Sequence, residues 1–377
     1  MHLGVLAMKL NKYKLGDLIE RHNEKNMGNK IKNVMGISVT KKFRIPTSKV
    51  NRDELKNYKI VRPNQFAFVQ TTHNEKVLAF AYNDSTEDVV VSSVNEVFSI
   101  KDENILLPRY LQIYLSRSSF DRYARYHSWG SARETFTWND MCSVEIELPD
   151  IEIQKKYVAI YKAMIENQKS YERGLEDLKL TCDAYFDIMK KNSKMVEIGK
   201  IIEKTDIRNK NNENYKFKGL SMENYFIDSI ANEEGIDFSK YKVVQPDEFA
   251  CVLMKVGRDC RLTVAQNTSK ENYIISPAYY TFKLNGINPR FFMSYISRAE
   301  FERRAWFSCD TSLRGSLPWE EFCELKIPDV EIEEQKNIAD LYDAYIIRNE
   351  INEKLKEQIK NICPILIKGS LEEAKSN

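Results

Sequence analysis

Two stretches of the sequence interleave arginine with aromatic residues. The segment from Leu107 to Arg133 aligns with that from Asn288 to Arg314 at an offset of 181. In the first, Leu111, Tyr114, Leu115, Phe120 and Tyr123 recur at helical spacing and make a buried face. Arg117, Arg122, Arg125 and Arg133 remain on the other side with Tyr126, His127 and Trp129. The second copy leaves Arg298, Arg303, Arg304 and Arg314 with Trp306. Guanidinium groups bind phosphate oxygens bidentately and address guanine edges in a major groove, so this pattern points to nucleic acid, with a merely solvated basic face as the alternative. Arg133 and Arg314 occupy equal positions in loops before Trp138-Asn-Asp and Trp319-Glu-Glu turns.

Other chemistry has little to stand on. The 13 glycines form neither Gly-x-Gly-x-x-Gly nor a Walker A loop, and no Pro-Pro pair supplies the Asn-Pro-Pro-Tyr type of amino-methyltransferase motif. The histidines (His2, His22, His73, His127) have no counterparts between the two copies and no metal or triad spacing. The seven cysteines, an odd number without a Cys-x-x-Cys pair, fit a reducing cytoplasm and not a disulfide framework. A metal-dependent nuclease is the rival reading: Asp150 with Asp177 and Lys179 gives it two carboxylates and a lysine. Those residues lie at opposite ends of a helical segment, and the second copy keeps Asp329 without an acidic-x-Lys partner. Helix capping explains both Asp150 and Asp329. No catalytic residue, metal or cofactor is therefore expected.

The elements that position the arginines are two long helices and two similar blocks. After Leu148-Pro149-Asp150, a heptad seam runs through Tyr157, Tyr161, Met164, Gln168, Tyr171, Leu175, Leu178, Cys182, Tyr185 and Met189, polar only at Gln168. Such a seam requires a partner helix. A second begins after Ile327-Pro328-Asp329 and runs Ile338, Leu341, Tyr345, Arg348, Asn352, Leu355, Ile359 and Ile362. The two predict an antiparallel coiled coil.

Ahead of each helix lies a block with the same frame. Tyr13-Lys-Leu-Gly-Asp-Leu-Ile answers Val196-Glu-Ile-Gly-Lys-Ile-Ile, and the strand-turn-strand from Tyr58 to Val69 answers that from Tyr241 to Val252, both at an offset of 183. Further strands are expected at Val77 to Ala81 and Val89 to Ile100, and at Arg261 to Ala265 and Tyr273 to Leu284. Residues 21 to 57 and 204 to 240 are hardly alike, so matched frames carry different inserted surfaces. The fold class is α+β, with residues 1–148 as one mixed module, 149–194 as the first long helix, 195–327 as the second module and 328–377 as the second long helix and tail. Charge follows this division: the four parts carry +5, +1, 0 and −4 within a chain of net charge +2. The blocks suit an anionic partner better than the C-terminal helix does. No stretch reads as a membrane span or signal peptide, and a cytoplasmic location is expected.

Two weakly similar modules, each followed by a long helix with a Leu-Pro or Ile-Pro entry and a Gln-Lys start, resemble the DNA specificity subunit of Type I restriction-modification systems. The resemblance covers nearly the whole chain and is most specific at Ser312-Leu-Arg-Gly-Ser-Leu-Pro-Trp-Glu-Glu and Gly130-Ser-Ala-Arg-Glu-Thr-Phe-Thr-Trp-Asn-Asp. It implies two target recognition domains, each binding half of a split double-stranded DNA sequence, held apart by antiparallel helices. It further implies a non-catalytic chain to which two methyltransferase subunits dock, bringing the methyl donor, with restriction/translocase subunits in the full complex. A DNA-binding subunit of a related Type II-like restriction-modification enzyme is the alternative within the same field.

Overall fold

The computed structural model describes residues 10–47, 50–51, 54–71, 77–130, 134–229, 231, 234–310 and 315–376. By contacts the chain divides into two compact units, residues 1–169 with 353–377, and residues 170–352. Each takes part of both long helices.

The first unit opens with β1 (Asn11–Lys14), α1 (Leu15–Leu18) and β2 (Ile19–His22), followed by β3 (Gly36–Ile37) and β4 (Phe43–Arg44). Short strands then run through β5 (Lys59–Val61), β6 (Phe66–Phe68), β7 (Phe80–Tyr82), β8 (Val89–Val91) and β9 (Glu96–Ile100). The helices α2 (Pro108–Leu115), α3 (Ser118–Tyr126) and α4 (Trp138–Cys142) lead to β10 (Glu145–Leu148) and the long α5 (Ile151–Asn192). The main sheet has the order β2-β9-β6-β7 and is antiparallel throughout, with Phe66 opposite both Phe98 and Tyr82. β5, β6, β7 and β8 are buried along their whole length, and β6, β7 and β8 accordingly read as continuous apolar runs, whereas β5 carries the buried Lys59. β1 pairs with β10, Asn11 opposite Leu148, so the module is closed by its own two ends just where α5 begins.

The second unit repeats this plan. β11 (Lys194–Glu197) pairs with β20 (Lys326–Asp329), and β12 (Ile202–Thr205) enters a sheet ordered β12-β19-β16-β17. Between them come β13 (Lys216–Leu220), β14 (Phe226–Asp228), β15 (Lys242–Val244), β16 (Phe249–Val252), α6 (Val256–Asp259), β17 (Thr263–Gln266), β18 (Tyr273–Ile275) and β19 (Tyr280–Leu284). Then follow α7 (Pro289–Ile296), α8 (Ala299–Phe307), α9 (Trp319–Glu324), β20 and the second long helix, α10 (Ile332–Ser376). The inserts differ in kind. β3 and β4 form a separate hairpin, whereas β13 and β14 join β18 and β15 in one four-stranded sheet. The duplicated frame shows even in its glycines: a Cβ on Gly16 would lie 2.8 Å from that of Cys142, and one on Gly199 2.9 Å from that of Cys323.

Each long helix is built into the module cores. Val158 and Tyr161 of α5 share a core with Cys363, Leu366 and Ile367 of α10 and with Phe66, Phe98, Leu111 and Phe120 of the first module. In the second unit Phe186 and Met189 share one with Ile338, Phe249, Phe282 and Phe291. The helices run antiparallel within the first unit, where the Tyr157 hydroxyl donates to Glu373 (3.1 Å) and Lys156 pairs with the same carboxylate (2.7 Å).

Most seam residues sit on the inner side. Tyr161, Leu175 and Ile338 are buried, while Tyr157, Met164, Gln168, Tyr171, Leu178, Leu341, Tyr345, Leu355 and Ile359 are half-buried. In the second unit the Arg348 guanidinium lies 5.9 Å from the Tyr171 ring and close to Gly174. Tyr185 departs from the expected seam. It is half exposed, and Phe186 beside it is fully buried, because α5 turns its next face to Phe291 and Tyr295 of α7 at ring distances of 5.5 and 5.0 Å. At this turn the helix obeys the packing of a globular core, while the next seam residue, Met189, is buried as the heptad expects. Asp329 is a second correction. It belongs to β20, opposite Lys194, three residues short of α10, and so does not cap that helix. Asp150 does cap, accepting from the Ile153 N–H at 3.0 Å.

A buried glutamine explains the recurrence of Gln-Lys at the two helix starts. Gln154 accepts from the Leu107 N–H (3.0 Å) and donates to the carbonyls of Ile105 (2.8 Å) and Pro149 (3.0 Å). Gln335 accepts from the Asn288 N–H (2.8 Å) and donates to Val330 (2.9 Å). Each ties the turn before α2 or α7 to the first turn of a long helix.

Candidate nucleic-acid interface

The candidate arginines lie on two equivalent helix pairs. Pro108 at the first turn of α2 and Asn288 capping α7, where it accepts from Arg290 (2.8 Å) and Phe291 (3.1 Å), start the first helix of each pair. α3 and α8 follow, and each buries a phenylalanine and an alanine one turn apart: Phe120 and Ala124, Phe301 and Ala305. That inward face fixes which residues point out.

Arg117 and Arg298 do not. Both precede their helix, and both turn back onto protein. Arg117 donates from Nε to the Tyr114 carbonyl (2.9 Å) and lays its guanidinium 3.7 Å from the Tyr114 ring centre. Arg298 is only 9% exposed; it donates to Asp183 (2.6 Å) and Asp187 (2.7 Å) of α5 and lies over Phe186 and Tyr295. Its Nε and Nη2 both donate to α5 and the side chain is buried there, so it positions α8.

Arg122, Arg125 and Arg303 are exposed and make no ion pair or hydrogen bond from their side chains among the described residues. Arg304 is half-buried and holds Glu300 at 2.8 Å. Tyr126 is 79% and Trp129 72% exposed, with the Trp129 backbone bridged to Thr135. Trp306 donates from Nε1 to the Gly257 carbonyl (3.1 Å), and with Arg303 it lines an open cleft that includes Cys260, Ala299 and Glu302. His127 packs against Tyr123 at 4.3 Å. Arg133 and Arg314 lie outside the described residues.

The acidic groups on these helices are taken up. Asp121 accepts from Lys41 of the β3–β4 hairpin at 2.8 Å, and Lys41 also donates to the Leu115 carbonyl (3.0 Å). Burial pulls the Lys41 ammonium down and pushes the Asp121 carboxyl up, each opposing the other's shift by its own charge. On α8, Glu300 accepts from Lys190 at 2.7 Å, and that bond holds its carboxyl below the ordinary range. Burial raises Glu302, whose counter-charge is Arg261 at 3.7 Å. What remains on the outward turns is positive charge and aromatic surface, a combination suited to an anionic polymer.

Among the described residues no group of three or more His, Cys, Asp or Glu is placed to hold a metal ion. No helix among them is long and apolar enough to cross a membrane. Sequence reasoning passed over Phe307, which aligns with Tyr126 at the last position of its helix and is 82% exposed. The offset of 181 that ties the two segments together would have found it.

Comparison of the whole structure with solved ones returns a crystal structure of the Type-I restriction-modification system S subunit from M. genitalium, with a TM-score of 0.53 over 100% of this chain and 97% of that one, at 12% identity. The chain has the fold of that S subunit. Two further structures align more loosely. The HsdS subunit from Thermoanaerobacter tengcongensis gives a TM-score of 0.40 over 96% of each chain at 13% identity. One described as showing complex assembly and conformational transition of the type I R-M system gives 0.45 over 95% of this chain and 97% of that one at 16% identity. No protein-family model and no curated protein matches the sequence. The likeness is one of fold, carried by the first of the three.

Proposed function

We propose that this chain is the non-catalytic DNA-reading subunit of a Type I restriction-modification assembly and recognises a two-part double-stranded target. The observation that carries the reading is the duplication itself: one frame built twice, with β3–β4 in one copy and β13–β14 in the other as unlike inserts. Two copies of one reader with different surfaces suit two different half-sites. The S subunit likeness over the full chain supports the same reading. Arginine contacts to phosphate would place each module, and side chains of the unlike segments would reach base edges. Arg125, Trp129, Arg304 and Trp306 would belong to this surface, and Arg133 and Arg314, outside the described residues, are candidates by their matching places in the sequence alone. Methyl transfer and the methyl donor would belong to docked methyltransferase subunits. The long helices, exposed along their outer sides, offer those subunits a surface.

Binding and methyl transfer measured side by side test this. The purified chain should bind duplex DNA with an affinity that falls steeply with salt and should transfer no methyl group by itself; adding its cognate methyltransferase should produce methylation at one split sequence. Methylation by the verified pure chain, or an absence of DNA binding at low salt, would overturn the proposal.

A further inference from the structure

One pairing of arginine with an aromatic ring is the same in both modules. Arg122 and Tyr126 lie one turn apart on α3, and Arg303 and Phe307 lie one turn apart at the same places on α8. Residues four apart share a helix face. All four are exposed, the two rings at 79% and 82%. Neither arginine side chain makes a hydrogen bond or ion pair among the described residues, whereas every acid on the two helices is paired or buried.

An exposed feature is not required by the core, and one repeated between modules with unlike inserts is not what distinguishes two half-sites. It must meet something that both half-sites share. Arginine is common to both copies, so the charge is the shared requirement; Tyr and Phe share the ring and not the hydroxyl. We propose that Arg122 with Tyr126, and Arg303 with Phe307, are twin sequence-independent anchors on the sugar-phosphate backbone of DNA. In each, the guanidinium pairs with a phosphate and the ring packs on the neighbouring deoxyribose. This rests on the DNA-reading function and adds a division of labour: these pairs set affinity and register, and the unlike inserts set sequence. Unneutralised positive charge beside each ring favours the polyanion over a protein partner.

The test uses the full-length chain and a random-sequence duplex, with affinity followed by fluorescence anisotropy from about 50 mM to about 200 mM salt. Each phosphate contact adds about 0.9 to the slope of log affinity against log salt. Arg122→Ala with Arg303→Ala should therefore reduce the slope by about 1.8, and each change alone should weaken binding about eightfold at about 0.1 M salt. Tyr126→Ala with Phe307→Ala should weaken binding at an unchanged slope, and Tyr126→Phe should bind as the unaltered chain does. Normal DNA binding and slope in the double arginine variant would overturn the anchors while leaving the DNA-reading function intact. Loss of methyltransferase capture with DNA binding unchanged would also overturn them, reassigning the pairs to protein docking. Failure of the unaltered chain to bind the duplex would defeat both.

Discussion

Replacing Gln154 by leucine, which has nearly the same volume, removes one acceptor and one two-proton donor from a closed site. The Leu107 N–H and the carbonyls of Ile105 and Pro149 then lose bonds of 3.0, 2.8 and 3.0 Å. At about 1 kcal/mol for each lost bond, the first unit should lose about 3 kcal/mol. For a unit of this size that lowers the melting temperature by roughly 6 to 12 °C. Gln335→Leu removes two such bonds, to Asn288 and Val330, and should cost the second unit about 2 kcal/mol. Hydrogen exchange by mass spectrometry localises each effect, since the amides of Leu107 and Asn288 owe their protection to these side chains. Gln154→Leu should speed exchange around Leu107 and leave Asn288 alone; Gln335→Leu should do the reverse. A loss under about 0.5 kcal/mol, with protection at Leu107 unchanged, would show that the glutamine does not hold the turn to α5.

The departure of α5 from its heptad predicts that Phe186→Ala costs about 3 to 5 kcal/mol in thermal or urea unfolding, while Tyr185→Ala costs less than about 0.5 kcal/mol; equal losses would restore the original seam. Arg298→Ala leaves Asp183 and Asp187 without their counter-charge and should destabilise the second unit by about 2 to 3 kcal/mol, with Arg298→Lys recovering only part because one ammonium cannot serve both carboxylates as the fork does. Arg303→Ala, at an exposed unpaired site, should leave unfolding unchanged, so the two arginines separate in one calorimetric comparison. Removing one heptad from each long helix, Gln168 to Gly174 together with Arg348 to Lys354, should keep the half-site sequences and shorten the gap between them by about three base pairs, from seven residues at about 1.5 Å each; retention of the original gap at full affinity would mean that the helices do not set the distance.

The repeat was the part of the fold most legible in the sequence. Offsets of 181 to 184 carried over strand by strand, and they carry over in space, from the glycines at Gly16 and Gly199 to the glutamines at Gln154 and Gln335. The heptad pattern found both long helices and failed at Tyr185, because a core residue answers to whatever packs on it, and α7 offers Phe291 and Tyr295 to the neighbouring position. At the candidate interface the sequence grouped arginines that the fold separates into exposed and inward-turned ones. Arg117 and Arg298 look no different in sequence from Arg122 and Arg303; only the fold places Tyr114 under one and Asp183 and Asp187 beside another. Lys41 could not have been read, since its partner Asp121 is 80 residues away and the hairpin between Ile37 and Phe43 carries no counterpart in the other module.

We propose that one chain reads two half-sites and makes no methyl mark of its own, and methylome sequencing of the host with and without this gene tests the proposal. A methylated motif of two unlike parts separated by a fixed gap of unspecified bases should be present, lost as a whole when the gene is deleted and restored by the intact gene. A methylome unchanged by the deletion, or the loss of a single continuous motif, would contradict it.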